Sequence, residues 1–350
     1  MNKLIALMRC GSCRFAAYYF LPFYVALLSF GGGGRRWAVF GAAVWFLHSL
    51  GTELVNRLSD RVEDQINRPE RTAYCEAVGF DRIKLISLLV WLTIVACDVA
   101  WVYTRPNPFL AALLVMGIMA GVGYSYGIRF KRKRYLSLLA LTFPFGGPFL
   151  IGWASSGVIP ADGAGAFAGL LRASGALLLV VGAFIGTLAG VKDITDIEGD
   201  DRVGYDSLWV SLIRRHATRV IFVMISLPFF ITLVLVGARL LPPRFLALLL
   251  FMPVSLALTL CVRAAKENEQ RQAVREALYH YWFVFLSAAL FLYWPRGETL
   301  LVIMGSGVYW VLTTQYLHWS DGVSANKARA LVSLFRQYRH RPASGVPLSP

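Results

Sequence analysis

Asn56-Arg57-Leu58-Ser59-Asp60-Arg61-Val62-Glu63-Asp64 breaks a chain that is otherwise close to continuously apolar. It follows directly on an apolar run over 37–56. Asn56, Asp60 and Asp64 recur every fourth residue, so on a helix one amide and two carboxylates share one stripe. Glu53 and Arg57 form a neighbouring pair four residues apart. A second acidic stretch, Lys192-Asp193-Ile194-Thr195-Asp196-Ile197-Glu198-Gly199-Asp200, ends the apolar run over 167–190. Its Asp193, Asp196 and Asp200 again fall on one helical stripe. Clustered carboxylates beside a bilayer are costly unless a cation binds them. An all-oxygen donor set suits Mg²⁺, which takes one or two carboxylates, waters and substrate phosphates.

The surrounding composition sets the class. Of 350 residues, 57% are hydrophobic and only 16% charged, and the mean hydropathy is +0.57. These values exclude an ordinary soluble domain and indicate a polytopic membrane protein. Windows of about twenty apolar residues fall near 15–30, 37–56, 83–103, 108–125, 135–157, 167–190, 218–238, 244–264, 278–295 and 299–318. The pattern predicts an all-α bundle of nine to ten transmembrane helices around a central cavity. The last two windows are separated only by Pro295 to Glu298, which fits either a short turn or one broken element. Residues 1–320 form the membrane domain, and 321–350 a basic, partly disordered cytoplasmic tail. The apolar run after the N-terminal charges continues too far for a signal peptide and reads as a retained first span.

The formal net charge of +15 does not point to nucleic acid. The Lys and Arg residues lie in loops, and they concentrate on alternate loops: Arg57 to Lys84, Arg129 to Arg134, Lys192 to Arg219 and Arg263 to Arg275. Positive-inside bias then places the N-terminus, both acidic stretches and the Lys131-Arg132-Lys133-Arg134 run on the cytoplasmic face, where they also suit anionic membrane lipids. The five cysteines form no disulfide framework, and the single Cys10-x-x-Cys13 lacks a partner pair for zinc. His48 lies inside the second span, where a polar residue either marks function or bonds a neighbouring helix.

Two acidic stripes on one face, with basic residues beside them, can hold metal ions bridged by a diphosphate. Such a site stabilises diphosphate as it leaves an allylic carbon. An apolar bundle shields the resulting carbocation from water, and aromatic faces, from a 14% aromatic share, stabilise it.

These residues together resemble the UbiA superfamily of intramembrane prenyltransferases. Its first motif, N-D-x-x-D-x-x-x-D, is similar to Asn56–Asp64, and the following Asn67-Arg68-Pro69-Glu70-Arg71 is similar to its N-R-P-x-R continuation. Its second motif, K-D-I-x-D-x-E-G-D, is similar to Lys192–Asp200. Tyr124-Ser125 and Arg129-Phe130-Lys131-Arg132 are similar to the family's intervening Tyr-Ser and R-x-K-R. The resemblance covers roughly residues 15–295. It implies a Mg²⁺-dependent enzyme moving a prenyl group from a prenyl diphosphate to a hydrophobic or aromatic acceptor. It implies Asn56, Asp60, Asp64, Asp193, Asp196 and Asp200 as metal ligands, with Asp60, Asp64, Asp193 and Asp196 the catalytic carboxylates. It implies Asn56, Arg57, Tyr124, Arg129, Lys131, Lys192 and Arg202 as diphosphate- or substrate-binding residues.

Arg57 departs from the family, which usually carries Asp there. Three readings stand: Arg57 contacts diphosphate itself, it pairs with Glu53 or Asp60 and points away, or it weakens the metal site. Thr72-Ala73-Tyr74-Cys75 also lacks the P-x-x-S-G common in quinone-pathway members. A terpene cyclase on the same bundle, and a non-catalytic lipid-binding or transport protein, are the rival readings.

Overall fold

In lipid every backbone polar group must be satisfied within its own segment, so apolar runs bounded by proline, glycine or asparagine become helices. The computed structural model describes residues 2–31, 35–133, 136–156, 174–188, 218–265 and 267–318, with short pieces at 196, 199, 202–204, 208, 211–212, 215, 329–330, 332–334 and 336. Every regular element among them is helical.

The first part of the chain contains α1 (Lys3–Cys10), α2 (Ala16–Ser29), α3 (Arg35–Ser59), α4 (Arg61–Asn67), α5 (Pro69–Val78), α6 (Phe80–Thr104), α7 (Pro108–Gly123) and α8 (Leu136–Ser155). After these come α9 (Ser174–Leu188), α10 (Thr218–Gly237), a 3₁₀ segment (Pro243–Phe251), α11 (Met252–Ala264), α12 (Asn268–Tyr293) and α13 (Gly297–Thr313). Several starts are written in the local sequence. Asn107 caps α7 by accepting from the backbone N–H of Phe109 at 2.9 Å, and Pro108 supplies the first-turn φ without losing a needed donor. Glu267 and Gln270 form a reciprocal capping box at the start of α12.

Among the described residues, five helical segments are long and apolar enough to cross a bilayer: Trp37–Ser59, Phe80–Thr104, Arg219–Gly237, Pro243–Cys261 and Gly297–Leu317. Three shorter apolar helices accompany them: Cys13–Ser29, Pro108–Gly123 and Ser174–Leu188. Nine to ten crossings remain the expectation from hydropathy. The break at 295–298 is a turn between two helices, because α13 folds back on α12: Phe283 stacks on Trp310 at 5.6 Å, and the Trp310 indole donates to His280 at 2.8 Å.

Helix α6 shows why the bundle belongs in a membrane. Leu85, Leu88, Leu92, Val95 and Val99 recur at three- and four-residue spacing and are all exposed. Its opposite face buries Ile83, Trp91, Ile94, Asp98 and Trp101. An apolar stripe of that length turned outward fits lipid as solvent, and the chain is an integral membrane protein. Inside, α2 and α8 approach closely because position 152 is glycine. A Cβ there would stand 2.4 Å from the Phe23 carbonyl oxygen, so only glycine lets the two backbones touch. The tail over 337–350 lies outside the described residues, as do 319–328.

Candidate active site

The α3–α4 junction delivers the first motif. The helix yields at Asp60, whose ψ is 23°, so the stripe expected on one continuous helix spans two. The i→i−4 backbone bonds nevertheless persist, from Asp60 to Asn56 at 2.9 Å and from Asp64 to Asp60 at 2.7 Å. Asn56, Asp60 and Asp64 therefore still follow one another turn by turn. In the orientation that satisfies both ends of its amide, Asn56 donates to Asp60 Oδ2 and to Ser125 Oγ, each at 2.8 Å, and accepts from Arg57 at 3.1 Å.

Of the pairings expected for Arg57, the one to Glu53 is present. Its buried guanidinium donates to Glu53 at 2.7 Å and to Asp64, rather than to Asp60. Asp60 instead pairs with Lys131, whose Nζ also donates to Ser59 at 2.6 Å. Arg132 pairs with Glu63 at 3.2 Å. The basic run after α7 thus folds back on the first motif.

Asn67, the last residue of α4, fixes the second motif against the first. Its amide nitrogen donates to the Asp196 carbonyl at 2.9 Å, and its amide oxygen accepts from the Gly199 N–H at 2.8 Å. Glycine is required at 199: a Cβ there would lie 2.3 Å from Asn67 Nδ2 and 2.8 Å from the Glu63 carbonyl. The Asp196 carboxylate is gripped by Arg68 and, at 2.6 Å, by Arg275 of α12. Gln272, one turn earlier on α12, donates to the Asn67 carbonyl at 2.9 Å. Residues 56–71, Asp196 and Gly199, and residues 272–275 meet at one point.

Positive charge dominates this point. Arg57, Arg68 and Arg275 are all buried, and Arg71 lies among them, its Nη1 3.9 Å from Asp64 Oδ1. Burial opposes the Asp64 charge, yet Arg57 first, then Arg71 and Arg68, hold its carboxyl below the usual carboxylate range. Burial likewise opposes the Arg68 charge, but Asp196 and Asp64 outweigh it and push the group upward. Arg71 goes the other way. Burial first, and then repulsion from Arg57 and Arg68, lower it to about 9 against the weaker help of Asp64 and Glu53. Its Nη1 is buried with no hydrogen-bond partner among the described residues. Among the described residues, Arg71 is left with only a distant carboxylate, at 3.9 Å, and a buried guanidinium so placed favours an anion.

Beside this charged patch lies a cavity of about 140 Å³. Glu53, Asn56 and Tyr124 line one part of it, and Tyr18, Phe143, Phe145, Tyr279 and Trp282 give it aromatic walls. Polar groups and an apolar, ring-lined space therefore share one opening.

The residues expected from sequence divide as follows. Asn56, Arg57, Asp60, Asp64, Lys131 and Asp196 lie in the charged network, and Tyr124 lines the cavity. Arg129, in a left-handed turn at φ 52°, is exposed, as is Arg202; neither is held in this network. Lys192, Asp193 and Asp200 lie outside the described residues. Glu53, Asn67, Arg68, Arg71, Gln272 and Arg275 carry much of the geometry without having been assigned roles. The N-R-P-x-R continuation marked the region of Asn67, Arg68 and Arg71. Arg275, read as positive-inside charge, gave no separate signal. Among the described residues no three His, Cys, Asp or Glu side chains gather as a metal site. The donor types nevertheless fit a hard cation: carboxylates and an amide, with no thiolate or imidazole in the set.

These features define a helical membrane protein with a charged mouth over an aromatic cavity. The UbiA prenyltransferase family model matches residues 19–281, and the chain belongs to that family. No curated protein matches it. Among solved structures it is similar to one described as digeranylgeranylglyceryl phosphate synthase in membranes, with TM-score 0.55 and 15% identity over 85% of this chain and 100% of the other. It is also similar to a UbiA homologue from Archaeoglobus fulgidus, solved with DMAPP and Mg²⁺ (TM-score 0.52, 14% identity, 80% of this chain and 99% of that one). The same homologue solved with GPP and Mg²⁺ gives TM-score 0.52 and 14% identity over 81% of this chain and 99% of that one. At such identity the likeness is one of fold.

Proposed function

We propose that the chain is a Mg²⁺-dependent intramembrane prenyltransferase. It transfers the prenyl group of a prenyl diphosphate to a hydrophobic or aromatic acceptor, with its charged mouth on the cytoplasmic side. The observation that carries this reading is the junction at Asn67, which brings Asp196 and the first motif together around surplus guanidinium charge at the lip of an aromatic cavity. The A. fulgidus homologue's DMAPP, GPP and Mg²⁺ support the same ligand class.

In this reading the diphosphate lies between the two motifs and relieves the repulsion around Arg71. Asn56, Asp60 and Asp64 from one side, and Asp193, Asp196 and Asp200 from the other, are the metal ligands, and Lys131 and Lys192 reach the diphosphate oxygens. Mg²⁺, when bound, supplies charge stabilisation to the leaving diphosphate as the allylic C–O bond breaks. Arg57 holds Asp64 and Glu53 in place and contributes a fixed positive charge that a carboxylate at this position would not. The aromatic walls hold the chain, keep water away and face the allylic cation.

The test is pyrophosphate release from a series of prenyl diphosphates by the purified protein in lipid nanodiscs. EDTA should abolish release, Mg²⁺ should restore it, and Asp196→Ala should lower it by two or more powers of ten. Release indifferent to chelation, or to Asp196→Ala, overturns the reading.

A further inference from the structure

A second polar constellation lies away from the motifs, inside the membrane-spanning part. Asp98 sits on the buried face of α6, 5% exposed. Neither of its carboxylate oxygens has a hydrogen-bond partner among the described residues. Facing it, 3.9 Å from Oδ2, is Nε2 of His48 on α3, itself 3% exposed and likewise without a hydrogen-bond partner among the described residues. The imidazole is held between indoles, with ring centroids 5.2 Å from Trp45 and 5.5 Å from Trp91. It also forms part of the wall of the aromatic cavity.

A carboxylate at membrane depth is expensive, and a purely structural one would collect donors. Among the described residues the one basic side chain within 4.0 Å of Asp98 is His48, and an imidazole can carry a proton. His48 lies eight residues before Asn56 on the same helix, about 12 Å along its axis at 1.5 Å per residue. Ser49, Thr52 and Glu53 line the cavity between them, so a polar track runs from the charged mouth to the imidazole along one face of an otherwise apolar helix.

We propose that His48 is the proton acceptor of the reaction and Asp98 its positioning residue, a role that rests on the prenyl-diphosphate reading of the site. A carboxylate facing an imidazole in the cavity wall offers a basic nitrogen and a compensating charge beside the space where a carbocation forms. After the allylic C–O bond has broken with its electron pair on the diphosphate, the cation or its alkylated arene must lose a proton. The C–H bond breaks and its pair becomes the new C=C bond or returns to the ring. The proton goes to an imidazole nitrogen, and Asp98 compensates the imidazolium. The pair ends neutral as the cation disappears, so charge balances inside the low-dielectric space.

The experiment needs no acceptor. Full-length protein in nanodiscs with Mg²⁺ is given dimethylallyl, geranyl, farnesyl and geranylgeranyl diphosphate in turn. Without an acceptor the cation has two fates, proton loss to an olefin or water capture to an alcohol. Pyrophosphate and both products are measured by colorimetry and gas chromatography–mass spectrometry. Wild type should yield olefin. His48→Gln, His48→Phe and Asp98→Asn should lower the olefin-to-alcohol ratio at least tenfold, whatever the total rate, and Asp98→Glu should recover most of it. In His48→Ala, added imidazole should raise the ratio, whereas pyrazole, of like shape and far weaker basicity, should not. A structural role would change rate or yield without moving that ratio. A wild-type product of alcohol alone, an unchanged ratio in the variants that release pyrophosphate, or equal rescue by pyrazole overturns this assignment and leaves the prenyltransferase reading in place. No pyrophosphate from any donor with wild type overturns both.

Discussion

Arg71 should be a residue the resting protein is better off without and the working protein needs. Its guanidinium is buried beside Arg57 and Arg68, and its nearest carboxylate oxygen stands 3.9 Å away. Desolvation first, and then those two cations, lower its proton affinity to about 9. At roughly 1.4 kcal/mol per pH unit, keeping Arg71 charged costs the folded state on the order of a few kcal/mol. The sign follows from linkage: a base whose folded value lies below its unfolded one binds fewer protons when folded. Its penalty is fully present below about pH 9 and fades as pH rises from there toward the ordinary arginine range.

Arg71→Met keeps the length of the apolar stem and removes the charge. In nanodiscs at pH 7.5 it should raise the thermal midpoint by several degrees. The wild type should gain stability between pH 8 and pH 10 relative to the variant, closing part of that gap. Inorganic pyrophosphate with Mg²⁺ should raise the wild-type midpoint, because an anion beside Arg71 removes the repulsion. The variant should show a far smaller rise and at least tenfold weaker pyrophosphate affinity. If Arg71→Met is destabilised and still binds pyrophosphate like wild type, Arg71 is an ordinary structural cation and the surplus-charge argument fails.

Asp196→Ala leaves Arg68 and Arg275 facing each other without their shared carboxylate, and losing one partner of a buried pair costs about 3–5 kcal/mol. A lower thermal midpoint should therefore accompany its loss of turnover, and Asp196→Asn should recover more stability than activity. Arg57→Asp places a new carboxylate between those of Glu53 and Asp64, where one cation now holds the two together. The variant should bind more Mn²⁺ in the presence of pyrophosphate, counted by electron paramagnetic resonance, and need more Mg²⁺ for half-maximal release; unchanged metal binding would show that Arg57 has no part in setting it. Asn67→Ala removes two buried hydrogen bonds to the second motif, at about 1–3 kcal/mol for each buried group left unpaired. Gly199→Ala forces the same two segments apart sterically, so both should raise KM for prenyl diphosphate together, and opposite effects on KM would separate them.

The helices were the most readable part of this sequence because lipid imposes one backbone solution and the apolar windows mark where it applies. Within the described residues the windows are helical, the one over 244–264 being split between a 3₁₀ segment and α11, and the α12–α13 turn follows from Pro295 and Gly297 once α13 is seen to return against α12. The four-residue recurrence of Asn56, Asp60 and Asp64 also kept its meaning, even though the helix yields at Asp60. What sequence spacing does not encode is which cation answers which carboxylate. Arg57 lies four residues after Glu53, a pairing readable from helical period alone. Its bond to Asp64 depends on the bend at Asp60, which no period predicts. Arg275 is separated from Asp196 by 79 residues, and nothing local distinguishes it from the other arginines that hold the loops to one face of the membrane.

The same reasoning explains why His48 was visible while its partner was not. A histidine in an apolar span stands out by composition, whereas nothing in the sequence pattern pairs it with Asp98. Only the crossing of α3 over α6 puts the two 3.9 Å apart. On the proposed reading, that crossing also separates two tasks in one cavity. The charged mouth, rich in guanidinium groups, suits the anion that leaves, and the deeper pair, with one carboxylate and one imidazole, suits the proton that must follow. A single cluster could not do both well: cations close enough to bind diphosphate would repel a proton from any neighbouring base, and a bare carboxylate at the mouth would repel the diphosphate. Spacing the two groups along α3, with hydroxyl side chains between them, lets each act in the electrostatic environment its step requires.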